Sequence, residues 1–126
     1  MRIDILSAVP RLLDSWFGES ILQRAQNKGL AEVVVHDLRQ WSTDKHRKLD
    51  DYPFGGGGGL VMTVEPIHRA ITELRSQREY AEVIYMSPDG QLLDQPLANQ
   101  LSLKGNLIIL CGHYKGVDER VREQLV

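Results

Sequence analysis

Cysteine is nearly absent from this chain: Cys111 is the only one among 126 residues. A single thiol excludes an internal disulfide framework and a cysteine-rich zinc site, and it fits a reducing compartment. Long apolar runs are missing too. No stretch approaches the roughly 20 residues needed to span a bilayer, and the N-terminus carries no secretory apolar segment with a cleavage site. Nor is there an excess of either charge. Lys and Arg number 15 and Asp and Glu 17, a formal net charge of −2. The chain as a whole therefore lacks the electrostatic footprint of a nucleic-acid binder, and any affinity for a polyanion must be local. These absences predict a soluble, cytoplasmic protein with no membrane partner. What is present is ordinary globular composition, 42% hydrophobic and 25% charged, with no signature of disorder. The length suits one domain or part of one, enough to bury about two-thirds of the unfolded surface.

Four short apolar runs read as strands. Ile3, Ile5, Leu6, Ala8 and Val9 lie in Arg2 to Val9, and a strand opening at the first residues suggests a central one. Val33-Val34-Val35 anchors Ala31 to Leu38, Val83 to Met86 lies in Glu82 to Met86, and Leu107 to Leu110 lies in Asn106 to Cys111. Between them come helical patterns. Pro10 opens a turn with Leu12, Leu13, Trp16 and Phe17 as its apolar contacts. Gly18 interrupts, Ile21, Leu22 and Ala25 share a helical face, and Gly29 is a C-cap candidate. Ile67, Ala70, Ile71 and Leu74 follow Pro66 at i, i+3, i+4, i+7. Pro96 opens a short helix with Leu97 and Leu101 inward, and Val117, Val121 and Leu125 share a face at the end. Strand–helix–strand alternation predicts α/β architecture, a mostly parallel sheet with helices on both faces. The last helical pattern has no strand after it, which predicts a βα series cut rather than completed.

Arg39 to Gly59 has neither period. Long unstructured connections of this kind are usually functional or mobile. This one holds Lys45-His46-Arg47-Lys48 among Trp41, Tyr52 and Phe54, then five consecutive glycines, Gly55 to Gly59. Each glycine costs about 0.5–1 kcal/mol relative to alanine in regular structure, so the run implies close backbone approach or movement. It does not cradle a nucleotide triphosphate. No Lys-Ser or Lys-Thr follows Gly59, and Leu60 occupies the sixth position of a G-x-G-x-x-G frame. The basic cluster reads equally as a solvated face or as an RNA-facing surface, in which cations hold phosphates and aromatic rings stack on bases. The whole of Arg39 to Gly59 is expected to be poorly ordered without RNA.

In parallel sheets ligands gather at the carboxyl ends of strands. Two turns there are built for close backbone approach: Ser87-Pro88-Asp89-Gly90, with glycine available for φ > 0, and Gly112-His113-Tyr114-Lys115-Gly116. Either alone reads as an ordinary βα turn; together they favour a ligand site. His36, His46, His68 and His113 show no metal-ligand spacing, so no metal is predicted. Cys111 reads as a small core hydrophobe, and Asp118 and Glu119 as favourable acids at a helix start.

Three segments in register now carry a resemblance: His46-Arg47-Lys48-Leu49-Asp50-Asp51-Tyr52-Pro53-Phe54 with its five glycines, Tyr85-Met86-Ser87-Pro88-Asp89-Gly90, and Cys111-Gly112-His113-Tyr114-Lys115-Gly116-Val117-Asp118-Glu119-Arg120-Val121. With Ile3-Asp4-Ile5-Leu6-Ser7 and Pro10, they make the chain resemble, from Met1 to Val126, the bacterial TrmD family of tRNA (guanine-N1)-methyltransferases. The resemblance implies a SPOUT-class fold with a deep trefoil knot, here truncated before the knot is completed. Residues 1–126 would be the N-terminal part of a catalytic domain that binds S-adenosylmethionine, without the C-terminal tRNA-binding domain. It implies a homodimer that methylates N1 of the guanosine immediately 3′ of the tRNA anticodon.

By the same resemblance Tyr85, Met86, Ser87, Pro88 and Asp89 form the first cofactor loop, and Gly112, Tyr114 and Gly116 belong to the second. His46, Arg47, Asp50, Gly55, Gly56, Gly57 and Gly59 face the substrate guanosine and its tRNA. The sulfonium carries an activated methyl, so no metal or covalent nucleophile is needed; positioning and a base for the N1 proton suffice. The family's base is an aspartate beyond Val126, so residues 1–126 alone are expected to be inactive. Lys115 stands where many relatives carry glutamate, and no role is carried over to it. Two alternatives remain: a non-catalytic RNA-binding module of the same fold, and an α/β nucleotide-binding domain unrelated to RNA, against which the failed phosphate patterns argue.

Overall fold

The computed structural model describes residues 1–43, 50–51, 61–112, 121 and 125–126. The four apolar runs are strands. β1 (Arg2–Ser7), β2 (Glu32–Asp37), β5 (Glu82–Met86) and β6 (Asn106–Cys111) form one sheet in the order β2-β1-β6-β5, every neighbour parallel. β1 is central, as its position at the start of the chain suggests, but ends at Ser7, two residues early. There the Ser7 hydroxyl accepts the Val9 amide at 3.0 Å and turns the chain out of the ladder before Pro10. The two-residue strands β3 (Asp50–Asp51) and β4 (Val61–Met62) pair antiparallel, Asp50 opposite Met62.

The helices interleave with the strands. α1 (Asp14–Phe17) and α2 (Ser20–Asn27) are separated at Gly18. α2 ends in a Schellman cap: Leu30 N–H reaches the Ala25 carbonyl and Gly29 N–H that of Gln26, each at 3.0 Å, with Gly29 at φ 74°. α3 (Val64–Gln77) buries Pro66, Ile67, Ala70, Ile71 and Leu74, the stripe its spacing predicts. α4 (Gln95–Ser102) is capped by the Asp94 carboxylate, which accepts the Leu97 amide at 2.9 Å.

Strand alternation divides the sheet into two faces. Leu6, Ala8, Val83, Ile108 and Leu110 meet the α3 stripe in one core with Leu38 and Val121; Tyr85 and Leu125 pack at its margin. Each fully buried Leu or Ile there contributes about 1.5–3 kcal/mol. Ile84, Met86 and Ile109 turn to the other face, toward Leu97 and Leu101 of α4. The α1–α2 face does not enter the core. Trp16 is 69% and Ile21 74% exposed.

One charge sits inside this frame. Asp4, mid-strand in β1, is fully buried on the α3 face. Arg2 donates to both its oxygens (Nε 3.1 Å, Nη2 3.0 Å), His36 Nε2 lies 2.8 Å away and the Tyr80 hydroxyl donates at 2.5 Å. Burial pushes the Asp4 carboxyl up, but the hydrogen bonds from Arg2, His36 and Tyr80 outweigh it and hold the group below the usual carboxylate range. The cluster ties β1 to β2 and to the turn that enters β5.

The segment expected to be poorly ordered from Arg39 onward begins otherwise. Leu38–Trp41 is a 3₁₀ turn whose Leu38 is fully buried. The Arg39 guanidinium donates to the Ala8 carbonyl, and the Trp41 indole donates to Glu73 of α3 while meeting the His36 ring edge-on at 5.8 Å. Arg39 is thus held against the exit of β1 beside a buried neighbour, and Arg39 to Trp41 are ordered, contrary to the expectation. For residues 44–49 and 52–60 the expectation lies outside the described residues.

Candidate functional site

β5 and β6 run parallel and adjacent, with Tyr85 opposite Leu110 and Met86 opposite Cys111. The chain therefore leaves both strands at one edge of the sheet, side by side. Of the expected cofactor residues, Tyr85, Met86, Ser87, Pro88, Asp89 and Gly112 come together here. Tyr114 and Gly116 lie outside the described residues. So do His46, Arg47, Gly55, Gly56, Gly57 and Gly59 of the expected tRNA-facing set; Asp50 is described through its backbone pairing with Met62 alone.

The first loop is a turn over Pro88 and Asp89, as Ser87-Pro88-Asp89-Gly90 predicts. The Ser87 hydroxyl donates to the Asp89 carboxylate and accepts the Asp89 amide at 3.3 Å. Gly90, however, does not use the left-handed region: among the described glycines Gly29 alone has positive φ. Proline and the Ser87–Asp89 bonds close this turn by themselves. At Gly112 the constraint is tight space instead. A Cβ placed there would lie 3.0 Å from Cε1 and 3.1 Å from the hydroxyl of Tyr85, inside ordinary van der Waals contact.

Behind the turn a groove of about 450 Å³ opens between the sheet and α4, lined chiefly by Ile84, Met86, Ile109, Leu97 and Leu101, with Gln91 and Ser87 among its polar groups. An apolar cleft with a few convergent polar groups is the usual form of a small-molecule site. Leu97, Leu101, Ile84 and Ile109 do not appear in the sequence-derived site. Their signal was the alternation on β5 and β6 and the i, i+4 leucines of α4, but only the strand order brings them together. Cys111 is half-buried, and burial pushes its thiol up, which keeps it protonated and agrees with a packing role.

Comparison with known proteins settles the kinship. A family model described as tRNA (Guanine-1)-methyltransferase TrmD matches residues 1–126. The chain belongs to the TrmD family. It is 61% identical over 126 residues to the tRNA (guanine-N(1)-)-methyltransferase of Cytophaga hutchinsonii, covering 100% of this chain and 54% of that protein. The same-named protein of Porphyromonas gingivalis ATCC 33277 is 60% identical, with 100% of this chain and 56% of that protein covered. The fold matches the crystal structure of tRNA (m1G37) methyltransferase from Aquifex aeolicus with TM-score 0.87 at 35% identity, over 98% of this chain and 56% of that one. The parallel α/β sheet with helices is thus the TrmD fold. The chain spans about half the length of the curated relatives it matches.

Proposed function

We propose that this chain is the N-terminal part of the catalytic domain of a tRNA (guanine-N1)-methyltransferase, one that moves a methyl group from S-adenosylmethionine to N1 of the guanosine immediately 3′ of the anticodon. The observation that carries this reading is the convergence of the Tyr85–Asp89 segment and Gly112 at the carboxyl edge of two adjacent strands, in a chain of this family. The donor set fits S-adenosylmethionine. The groove offers apolar surface for a flat ring, the Ser87–Asp89 turn beside it carries a carboxylate suited to a cationic ligand, and Gly112 adds no side chain at the same edge. Bound there, S-adenosylmethionine supplies a methyl already activated by its sulfonium. The residues of this chain hold and orient it; positioning of this kind supplies up to about 7–11 kcal/mol of barrier reduction.

The stretch that holds His46, Arg47, Asp50, Gly55, Gly56, Gly57 and Gly59 is proposed to face tRNA, and Tyr114 and Gly116 to complete the cofactor site. The knot, the homodimer and cytoplasmic residence belong to the same proposal. No described helix is long and apolar enough to cross a membrane. Residues 1–126 by themselves are proposed to be inactive, since the family's aspartate base falls beyond Val126.

The test is calorimetric titration of S-adenosylmethionine into the full-length protein, with Gly112→Leu as control, followed by methyl transfer to tRNA bearing guanosine or adenosine 3′ of the anticodon. Saturable binding lost in Gly112→Leu, and transfer to the guanosine form alone, are expected. Equal binding by both proteins overturns the placement of the second loop. Binding of tRNA with no methyl transfer favours the non-catalytic RNA-binding module.

A further inference from the structure

Tyr85 belongs to the strand, not to the turn that follows it. It shares the α3 face with Val83 and packs at the margin of the core that holds Leu110, Ile71 and Leu74. Strand side chains lean along the strand, and this ring extends past its partner Leu110 until it meets Gly112, the residue after the neighbouring strand β6. On one side the ring is fixed by the core. On the other its edge and hydroxyl fill the space that a Cβ on residue 112 would take, at 3.0 and 3.1 Å. Gly112 has no positive φ to demand glycine. The tight space beside the ring of Tyr85 is what the structure shows against a side chain there.

We infer that Tyr85 is a positioning residue whose ring acts as a stop between β5 and β6, setting the height at which the backbone at Gly112 leaves the sheet beside the first cofactor loop. The inference rests on the reading of the two loops as the S-adenosylmethionine site, and it gives the Tyr85 ring a role distinct from contact with that ligand. It also makes the pair interdependent: the space that a Cβ at 112 would take is the space the ring at 85 fills.

The experiment is a double-variant cycle in the full-length protein, with S-adenosylmethionine affinity and the urea midpoint measured on each member. Gly112→Ala is expected to weaken affinity about tenfold, because its methyl pushes the ring or lifts the backbone. Tyr85→Leu removes the stop and costs a similar factor. The double variant is expected to lose no more than Tyr85→Leu alone, since no ring remains to be struck. Tyr85→Phe keeps the ring and recovers most of what Tyr85→Leu loses, and in that background Gly112→Ala again weakens binding. Losses that multiply in the double variant, or additive urea midpoints with intact ligand binding, overturn the stop. Tyr85→Phe binding as poorly as Tyr85→Leu does so too, because the hydroxyl is then a ligand contact. Absence of S-adenosylmethionine binding by the unsubstituted protein refutes instead the site reading beneath it. Non-additive midpoints in that case would leave the packing of ring on glycine standing without its cofactor role.

Discussion

Replacing Asp4 by alanine should be among the most damaging single changes on the α3 face of the sheet. The carboxylate is fully buried and accepts from Arg2 twice, from Tyr80 and from His36. Removing it takes two hydrogen bonds from a guanidinium whose side chain is only 20% exposed and leaves it paired with the exposed Glu32 at 2.9 Å, and it takes a buried partner from a phenol and an imidazole. Breaking a buried pair from one side costs about 3–5 kcal/mol. Whole domains are stable by about 5–15 kcal/mol, so Asp4→Ala should leave little margin. Asp4→Asn keeps the shape and one acceptor, loses the charge, and should cost about 1–3 kcal/mol at pH 7. The pH dependence follows from the direction of the shift. The folded carboxyl titrates below its unfolded value, so its contribution is complete above the unfolded pKa of about 3.9 and is lost as pH falls through the lower folded one. Urea titrations followed by tryptophan fluorescence at pH 7 and again below pH 4 therefore should show the gap between the unsubstituted chain and Asp4→Asn narrowing in acid. A gap that stays constant, or an Asp4→Ala cost under about 1 kcal/mol, would refute the account of the cluster as a charged anchor.

Three pairs of substitutions test the local arguments. Gly29→Ala forces a Cβ into the left-handed region at the end of α2 and should lower stability by about 1–2 kcal/mol, whereas Gly105→Ala, with open space around it, should stay within about 0.5 kcal/mol; thermal melts of the two distinguish backbone conformation from glycine content. Asp94→Ala removes the acceptor for the Leu97 amide and should cost about 1 kcal/mol, with Asp94→Ser recovering most of it in the same denaturation assay. Ile71→Ala, emptying a fully buried position of α3, should cost about 2–5 kcal/mol, and Ile21→Ala, at an exposed one, less than about 0.5 kcal/mol; similar losses at both would mean that the α1–α2 face is buried after all.

Much of this architecture was legible along the chain. Val33-Val34-Val35 and Leu107 to Leu110 read as strands and are strands, though only the inner one is buried: Leu107, Ile108 and Leu110 lie in the core, while the valines of the edge strand β2 stay partly exposed. The stripe Ile67, Ala70, Ile71, Leu74 predicted the helix that covers the sheet. At Ile21, Leu22 and Ala25 the same periodicity predicted a helix, and α2 is one; but periodicity reports that apolar groups share a face, not that anything covers it, and Ile21 and Leu22 are exposed. At Gly90 composition suggested a left-handed residue, but proline and the Ser87–Asp89 bonds closed the turn without one.

The sequence by itself determined the strands, the α3 stripe, the two glycine-bearing turns after β5 and β6, and the family they mark, because each is written in local spacing. The tertiary structure alone decided that the last strand inserts beside the first, in the order β2-β1-β6-β5. That order makes the exits of β5 and β6 neighbours, lays Tyr85 over Gly112, and gathers on Asp4 a histidine 32 residues away and a tyrosine 76 residues away. The physical reason is that periodicity is a property of short segments. Which buried faces meet depends on the crossovers between strands and on the competition of all apolar faces for one core.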